Sequence, residues 1–133
     1  NKVFEREELL GEPIKIGPIL SGRHRCHFET ELDNNNITST IKIKGAQYET
    51  DACYETDNKV CIVEAKCKKM SSFNIRQLYY PFRAIYDKIK EKKEIICLFI
   101  YKNKNIINIF KFKWKDPTKM MDIEQLGHYK YVY

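Results

Sequence analysis

The sequence lacks a long apolar run and a signal-peptide pattern. No stretch approaches the roughly 20 consecutive apolar residues that a membrane-spanning helix needs, and no apolar segment behind a basic start opens the chain. Internal repeats and low-complexity segments are absent as well. These absences argue against a helical membrane protein, so we expect a soluble, cytoplasmic protein with no membrane partner.

The cysteines form no recognisable metal-binding or disulfide pattern. Five cysteines are present, which is an odd number, and no two of them have the CxxC spacing. Without paired spacing, reduced thiols that pack as small apolar groups are favoured over a disulfide framework or a zinc site.

The composition is that of a folded, basic domain. Hydrophobic residues make up 43% and aromatic residues 13% of the 133 positions, which is enough for a single domain over residues 1–133 with a sizeable core. The 24 basic and 18 acidic residues give a net charge of +6, which favours a polyanionic partner. The chain begins with Asn1 rather than Met, as expected of a domain excised from a longer protein.

The first half of the chain predicts a short helix and three consecutive antiparallel strands. The helix covers Val3–Leu10, and the strands cover residues 37–44, 47–54 and 60–66. Gly45 predicts a turn between the first two strands, and a polar segment predicts the turn before the third.

The second half of the chain begins with a helical pattern. The apolar residues at helical spacing are Ile75, Leu78, Phe82, Ile85 and Ile89. They predict a helix that ends near Lys90, which Pro81 should kink or restart as a second helix. Residues 95–101 are apolar on both faces and predict a central strand, whereas residues 106–115 predict a strand with one aromatic and one basic face. The tail that follows shows no clear period.

One acidic motif stands at the end of an apolar strand. The pattern (D/E)xK occurs three times, but residues 57–59 fall in a predicted turn and residues 91–93 in a solvated charge run. Glu64-Ala65-Lys66 differs because it ends the apolar segment CIVEAK, where ionised groups are costly unless they are paired or bind a metal. Asp51 lies 13 residues before Glu64, across the predicted hairpin, and Glu49 on the same strand face is an alternative to it.

Two carboxylates and a lysine form the minimal set for phosphodiester hydrolysis. Carboxylates hold a hard divalent cation, which neutralises charge on the phosphate and makes bound water more acidic. A lysine beside the cation can orient or deprotonate that water. A purely structural alternative is a half-buried hairpin in which Lys66 forms a salt bridge with Asp51 or Glu64.

The order of these features resembles the PD-(D/E)xK nuclease superfamily over about residues 37–115. The resemblance implies an α/β (α+β) fold with the restriction-endonuclease-like αβββαβ core, in which a mixed central sheet is flanked by helices. It implies that Asp51 and Glu64 bind Mg²⁺, for which Mn²⁺ can substitute. It further implies that Lys66 is the catalytic lysine and that Gln77 on the following helix belongs to the catalytic site.

The sequence departs from the superfamily pattern at three points. Thr50 stands where a proline often precedes the first acid, and Pro81 occupies the tyrosine position of the helix signature QxxxY that begins at Gln77. Many members also use a glutamate of the first helix. The candidates for that ligand are Glu5, Glu7 and Glu8, which the sequence does not rank.

Basic residues beside the motif are candidates for phosphate contacts. They are Lys68, Lys69, Arg76 and Arg83. An ordinary solvated helix face explains them equally well.

The function that the resemblance implies is a Mg²⁺-dependent DNA endonuclease of a restriction or defence system. Its partner would be double-stranded DNA, cut by a homodimer or with an additional recognition domain or subunit. The alternatives are a repair or recombination nuclease, and a DNA-binding or structural module that keeps the fold without catalysis.

Overall fold

The computed structural model describes residues 9–19, 22–34, 37–66 and 74–132, and these ranges form eight strands and one helix. The strands are β1 (Ile16–Ile19), β2 (Gly22–Asn34), β3 (Ile37–Thr50), β4 (Ala52–Glu55), β5 (Lys59–Lys66), β6 (Glu94–Asn103), β7 (Ile106–Trp114) and β8 (Ile123–Val132). Helix α1 (Arg76–Ile89) lies between β5 and β6 in the chain.

Six strands form one mixed sheet in the order β1-β4-β5-β6-β7-β8. The two central strands, β5 and β6, are parallel, and the other neighbouring pairs are antiparallel. A parallel pair needs a crossover connection, and α1 supplies it. The mixed α+β architecture predicted from the sequence is therefore confirmed.

The central strands are apolar because both of their faces are covered. Side chains alternate between the faces of a strand. On one face Ile62 and Cys97 pack in the core that contains the buried side of α1. On the other face Val63 and Leu98 pack with Leu9, which is completely buried. The two faces of β5 and β6 thus belong to two separate cores.

Strands β2 and β3 form a hairpin that is a separate two-stranded sheet. The hairpin is inserted in the chain between β1 and β4 and contacts α1 through both of its strands. Cys26 and Phe28 are buried in the same core as the helix. The hairpin therefore packs on α1 and helps to close the core between the helix and the main sheet.

The strands predicted over residues 37–54 were wrong in their boundaries. Strand β3 passes through Gly45 without interruption, and the chain bends at Asp51 instead. Gly45 has a φ of 61° and stands in a β-bulge opposite His27, between the register partners of Cys26 and Phe28, so it shifts the register without ending the strand. The segment 37–44 belongs to the hairpin, and β1 takes its expected place in the main sheet.

Helix α1 confirms the predicted helix but not its division by proline. Pro81 is buried inside one continuous helix, and no second helix begins there. Within the described ranges α1 is the only helix, so a second flanking helix is not shown. The predicted helix Val3–Leu10 lies mostly in residues 1–8, outside those ranges.

The C-terminal strands extend the sheet by one strand more than predicted. Strands β6 and β7 confirm the predicted elements, but β8 pairs with β7 over a segment where no element was expected. Cys26, Cys53, Cys61 and Cys97 are buried free thiols, as predicted. No helix within the described ranges is long and apolar enough to cross a membrane.

Candidate functional site

Strand β5 carries Glu64 and Lys66 to the carboxyl end of the parallel pair. Both side chains lie on the α1 side of the sheet, because they are two residues apart on one strand. Glu64 is only 6% exposed, although it is ionisable. The Nζ of Lys66 lies 3.0 Å from the Oε1 of Glu64, and about a third of the Lys66 side chain is exposed. The ion pair therefore joins a buried carboxylate to an ammonium group at the surface.

Asp51 is fixed to the same motif from the neighbouring strand. It occupies the bend between β3 and β4, where the chain leaves the hairpin and enters the main sheet. The backbone N–H of Ala65 donates a hydrogen bond of 2.7 Å to the Oδ2 of Asp51. The carboxylate is exposed and held beside the residue that separates Glu64 from Lys66.

Gln77 completes this group from the first turn of α1. Its Oε1 atom is buried and has no hydrogen-bond partner among the residues that the structure describes. A buried polar atom without a partner is costly, and such atoms are rare in folded proteins. A water molecule or a ligand within the site would satisfy it.

Glu64, Lys66 and Gln77 line one cleft of about 350 Å³, which we call the Glu64 cleft. Its wall is formed by Gln47, Tyr48, Glu64, Lys66, Asn74, Arg76, Gln77 and Tyr80. Glu64 and Lys66 come from β5, and Gln47 and Tyr48 come from β3 of the hairpin. The other four residues lie at or just before the start of α1. Asp51 is not part of the wall, but it is bonded to β5 directly behind the motif.

The oxygen donors of this cleft fit a hydrated Mg²⁺ ion. Among the described residues, no three His, Cys, Asp or Glu side chains lie close enough together to hold a metal ion on their own. Mg²⁺ usually keeps several waters and binds to one or two carboxylates. The buried Glu64, the neighbouring Asp51 and the unpartnered Gln77 Oε1 are hard donors of that kind. Glu49, the alternative ligand, has a side chain outside the described part.

The two arginines of α1 have different surroundings. Arg76 is exposed in the wall of the Glu64 cleft, where its Nε donates to the Oδ1 of Asn74 over 3.3 Å. Arg83 is instead held between the helix and the hairpin. Its side chain is 11% exposed, pairs with Asp87 at 3.0 Å and donates 2.6 Å to the backbone oxygen of Glu29. Only Arg76 is therefore placed for a phosphate in the cleft, while Lys68 and Lys69 lie outside the described residues.

The hairpin wall of the cleft was not foreseen from the sequence. The segment around Gln47 and Tyr48 was interpreted as a strand of the main sheet, whereas it faces the cleft from the hairpin. Burial raises the pKa of the Tyr48 hydroxyl, and the nearby Cys26 thiol raises it further. Tyr48 therefore stays a neutral hydrogen-bond donor at the cleft. Tyr48 shares a strand face with Ala46, and both pack against the core, but this pattern gave only the face and not the partner.

The Lys66–Glu64 pair agrees with both interpretations of the motif. A structural salt bridge would account for the 3.0 Å contact as well as a catalytic pair would. A structural salt bridge does not account for the unpartnered Gln77 Oε1 in the same cleft. The salt bridge thus explains the ion pair, and the Gln77 oxygen leaves a place for a water molecule or a ligand in the cleft.

The chain belongs to the family described as "Domain of unknown function (DUF6997)", which matches residues 2–132. No curated protein and no solved structure matches the chain.

Proposed function

We propose that this member of the DUF6997 family is a metal-dependent DNA endonuclease, of the PD-(D/E)xK kind, that cuts at the Glu64 cleft. The single observation that carries the proposal is the meeting of Glu64, Lys66 and the unpartnered Gln77 Oε1 in one cleft. Three residue types that the resemblance assigns to catalysis come from two elements that are separated in the chain. Three such residues from two separate elements would seldom meet in one cleft by chance.

The order of elements supports the proposal. Strands β1, β4 and β5 are followed by α1 and by the parallel strand β6, which is a strand-strand-strand-helix-strand succession. The hairpin β2–β3 is an insertion between the first two of these strands. The motif then lies at the carboxyl end of the central parallel pair, where open α/β sheets commonly bind ligands.

Each residue of the site has a distinct role in the proposed reaction. A bound Mg²⁺ would neutralise charge on the phosphate and make a bound water more acidic. Glu64 and Asp51 supply the negative charge that holds the cation. The Lys66 ammonium, fixed by Glu64, orients the attacking water at the mouth of the cleft. Gln77 Oε1 accepts a hydrogen bond from a water in the site.

Arg76 has the remaining role, which is to contact the substrate. Its guanidinium at the cleft wall can donate to phosphate oxygens without reading base sequence. The net charge of +6 attracts the polyanion over a longer range. A restriction or defence role follows from the resemblance and remains part of the proposal, as does a second copy or partner for cutting both strands.

Nicking of a supercoiled plasmid tests the proposed function. We expect the wild-type protein to convert the plasmid to relaxed and linear forms with Mg²⁺ or Mn²⁺ and to leave it intact in EDTA. Lys66→Ala, purified in parallel, should show no cleavage, whereas Lys92→Ala, which changes an exposed lysine at the middle position of the 91–93 match, should cleave as the wild type does. Parallel reactions on linear and branched DNA separate a restriction-type from a repair-type nuclease.

Two results would contradict the proposal. DNA binding without cleavage in any metal would indicate a catalytically silent module of the same architecture. Cleavage by Lys66→Ala equal to that of the wild type would place the activity elsewhere or in a contaminant.

A further inference from the structure

The cross-strand rows that contain Glu64 and Lys66 continue over the sheet as aromatic and basic side chains. In the strand register Glu64 is followed by Phe99, Phe110 and His128, and Lys66 by Tyr101, Asn108 and Lys130. Partners in register share one face of a sheet. These side chains therefore lie on the same face as the proposed catalytic pair, which is the face that packs against α1, and they extend from β6 toward the β8 edge of the sheet.

Three rings of these rows stack on one another. The rings of Phe110 and His128 are 4.1 Å apart between centroids and inclined by 14°, and those of Phe110 and Tyr101 are 5.9 Å apart and inclined by 17°. His128 is exposed, and Tyr101 and Phe110 are half-buried. We call these three residues the aromatic row. It begins beside Lys66, because Tyr101 is the register partner of that lysine.

A buried amide fixes the outermost ring of the row. Asn108 is only 5% exposed, and its Oδ1 accepts a hydrogen bond of 3.1 Å from the Nε2 of His128. Burying an amide is costly unless it is hydrogen-bonded. Asn108 thus holds the exposed imidazole flat against Phe110. A side chain that served only solubility would need no such support.

We propose that the aromatic row binds unpaired bases of single-stranded DNA next to the Glu64 cleft. This inference rests on the proposed function and adds a substrate class to it, namely DNA with a single-stranded segment. Flat rings accept bases by stacking with little dependence on base identity. Lys66 and the exposed Lys130 lie on either side of Tyr101 and Asn108 in register, where they can contact the flanking phosphates. Bases inside a duplex are already stacked and cannot reach the row.

Binding in EDTA, where no metal-dependent cutting can occur, tests this inference. Fluorescence anisotropy would compare an oligothymidylate, the same oligonucleotide with abasic sites at its centre, and a duplex of equal length. We expect the wild type to prefer the oligothymidylate over the abasic strand. His128→Ala should weaken oligothymidylate binding about tenfold, because the exposed ring on which a base stacks is removed.

The control is Gln125→Ala, an exposed position on the same strand, which should bind as the wild type does. The inference is overturned if His128→Ala binds the oligothymidylate as tightly as the wild type does, or if the wild type binds the abasic strand equally well. If the protein nicks DNA but His128→Ala binds the oligothymidylate normally, the inference about the aromatic row is wrong and the nuclease proposal stands. If binding depends on His128 but no nicking occurs in any metal, the row binds single-stranded DNA and the nuclease proposal is wrong.

Discussion

At the scale of single residues, the site combines a satisfied ion pair with an unsatisfied amide. Lys66 meets the charge of the buried Glu64, which would otherwise be costly. Gln77 instead adds an energetic cost, because its buried Oε1 has no hydrogen-bond partner among the described residues. Functional sites characteristically keep such local costs, and the rest of the fold offsets them.

Gln77→Leu should separate stability from activity. Removing the unpartnered oxygen should leave the free energy of unfolding unchanged or raise it by up to about 1 kcal/mol. Cleavage should fall about tenfold, since a water in the site loses its acceptor. Urea denaturation in EDTA measures the first quantity, and plasmid nicking measures the second. A clear loss of stability with full activity would show that Gln77 serves the fold and not the site.

At the scale of elements, the attachment of the hairpin to α1 depends on Arg83. The guanidinium bonds to Asp87, to the backbone oxygen of Glu29 and to the hydroxyl of Tyr79, and it lies 5.3 Å from the centroid of the Phe28 ring. Desolvation alone would lower the pKa of Arg83, but the hydrogen bonds to Asp87 and Tyr79 outweigh it and the pKa is raised. The charge is therefore retained within a packed interface.

A pair of arginine substitutions tests this division of roles. Arg83→Met should lower the free energy of unfolding by about 2–3 kcal/mol, because buried hydrogen bonds to a charged group are lost. Arg76→Met, at an exposed position, should change it by no more than about 0.5 kcal/mol yet weaken DNA binding. Urea denaturation and anisotropy measure the two effects. If Arg83→Met were as stable as the wild type but bound DNA more weakly, Arg83 would contact phosphate and not hold the hairpin.

At the scale of the whole molecule, two half-buried carboxylates, Glu12 and Asp116, link the stability to acid pH. Hydrogen bonds from Thr56 and Asn58 lower the pKa of Glu12, which ties the segment before β1 to the β4–β5 turn. A hydrogen bond from Thr118 lowers the pKa of Asp116 after β7. A carboxylate whose pKa is lower when folded stabilises the fold at neutral pH. That contribution is lost as the pH falls from the ordinary pKa through the lower folded value.

The melting temperature should therefore fall on acidification below the ordinary carboxyl values of 4.5 for Glu12 and 3.8 for Asp116. The double variant Glu12→Gln, Asp116→Asn should melt lower than the wild type at neutral pH and show a flatter decline in acid. Thermal melts over a pH series, with the exposed Glu91→Gln as control, measure the difference. Parallel pH curves for the wild type and the double variant would contradict the assignment.

The sequence predicted those elements whose burial leaves a strong pattern. Strands β5 and β6 are apolar on both faces and α1 has one apolar stripe, so their positions were predicted correctly. The alternation in β3 identified a strand but not the sheet that contains it, and Gly45 fits a turn and a bulge equally well. Strand β8 was missed because its side chains are half-buried or exposed throughout and Gly127 interrupts it.

In the site, too, the sequence indicated residues within one element but not contacts between distant elements. Glu64 and Lys66 stood out because charges end an apolar strand, and Gln77 was named because the resemblance implies a glutamine on the following helix. The helical period placed Arg76 and Arg83 on one side of α1 but could not show that the hairpin packs on Arg83. Tyr48 was missed for the same reason, since its place at the cleft depends on where the hairpin folds back.

The measurement that tests the central claim most directly is metal-dependent nicking by Glu64→Gln beside Glu91→Gln. The first substitution removes the charge from the buried carboxylate of the cleft while preserving its shape, and the second makes the same change in an exposed (D/E)xK match. We expect Glu64→Gln to lose about 100-fold or more of the Mg²⁺-dependent rate with DNA binding in EDTA retained, and Glu91→Gln to match the wild type. Equal nicking by both variants would contradict the assignment of the active site to the Glu64 cleft.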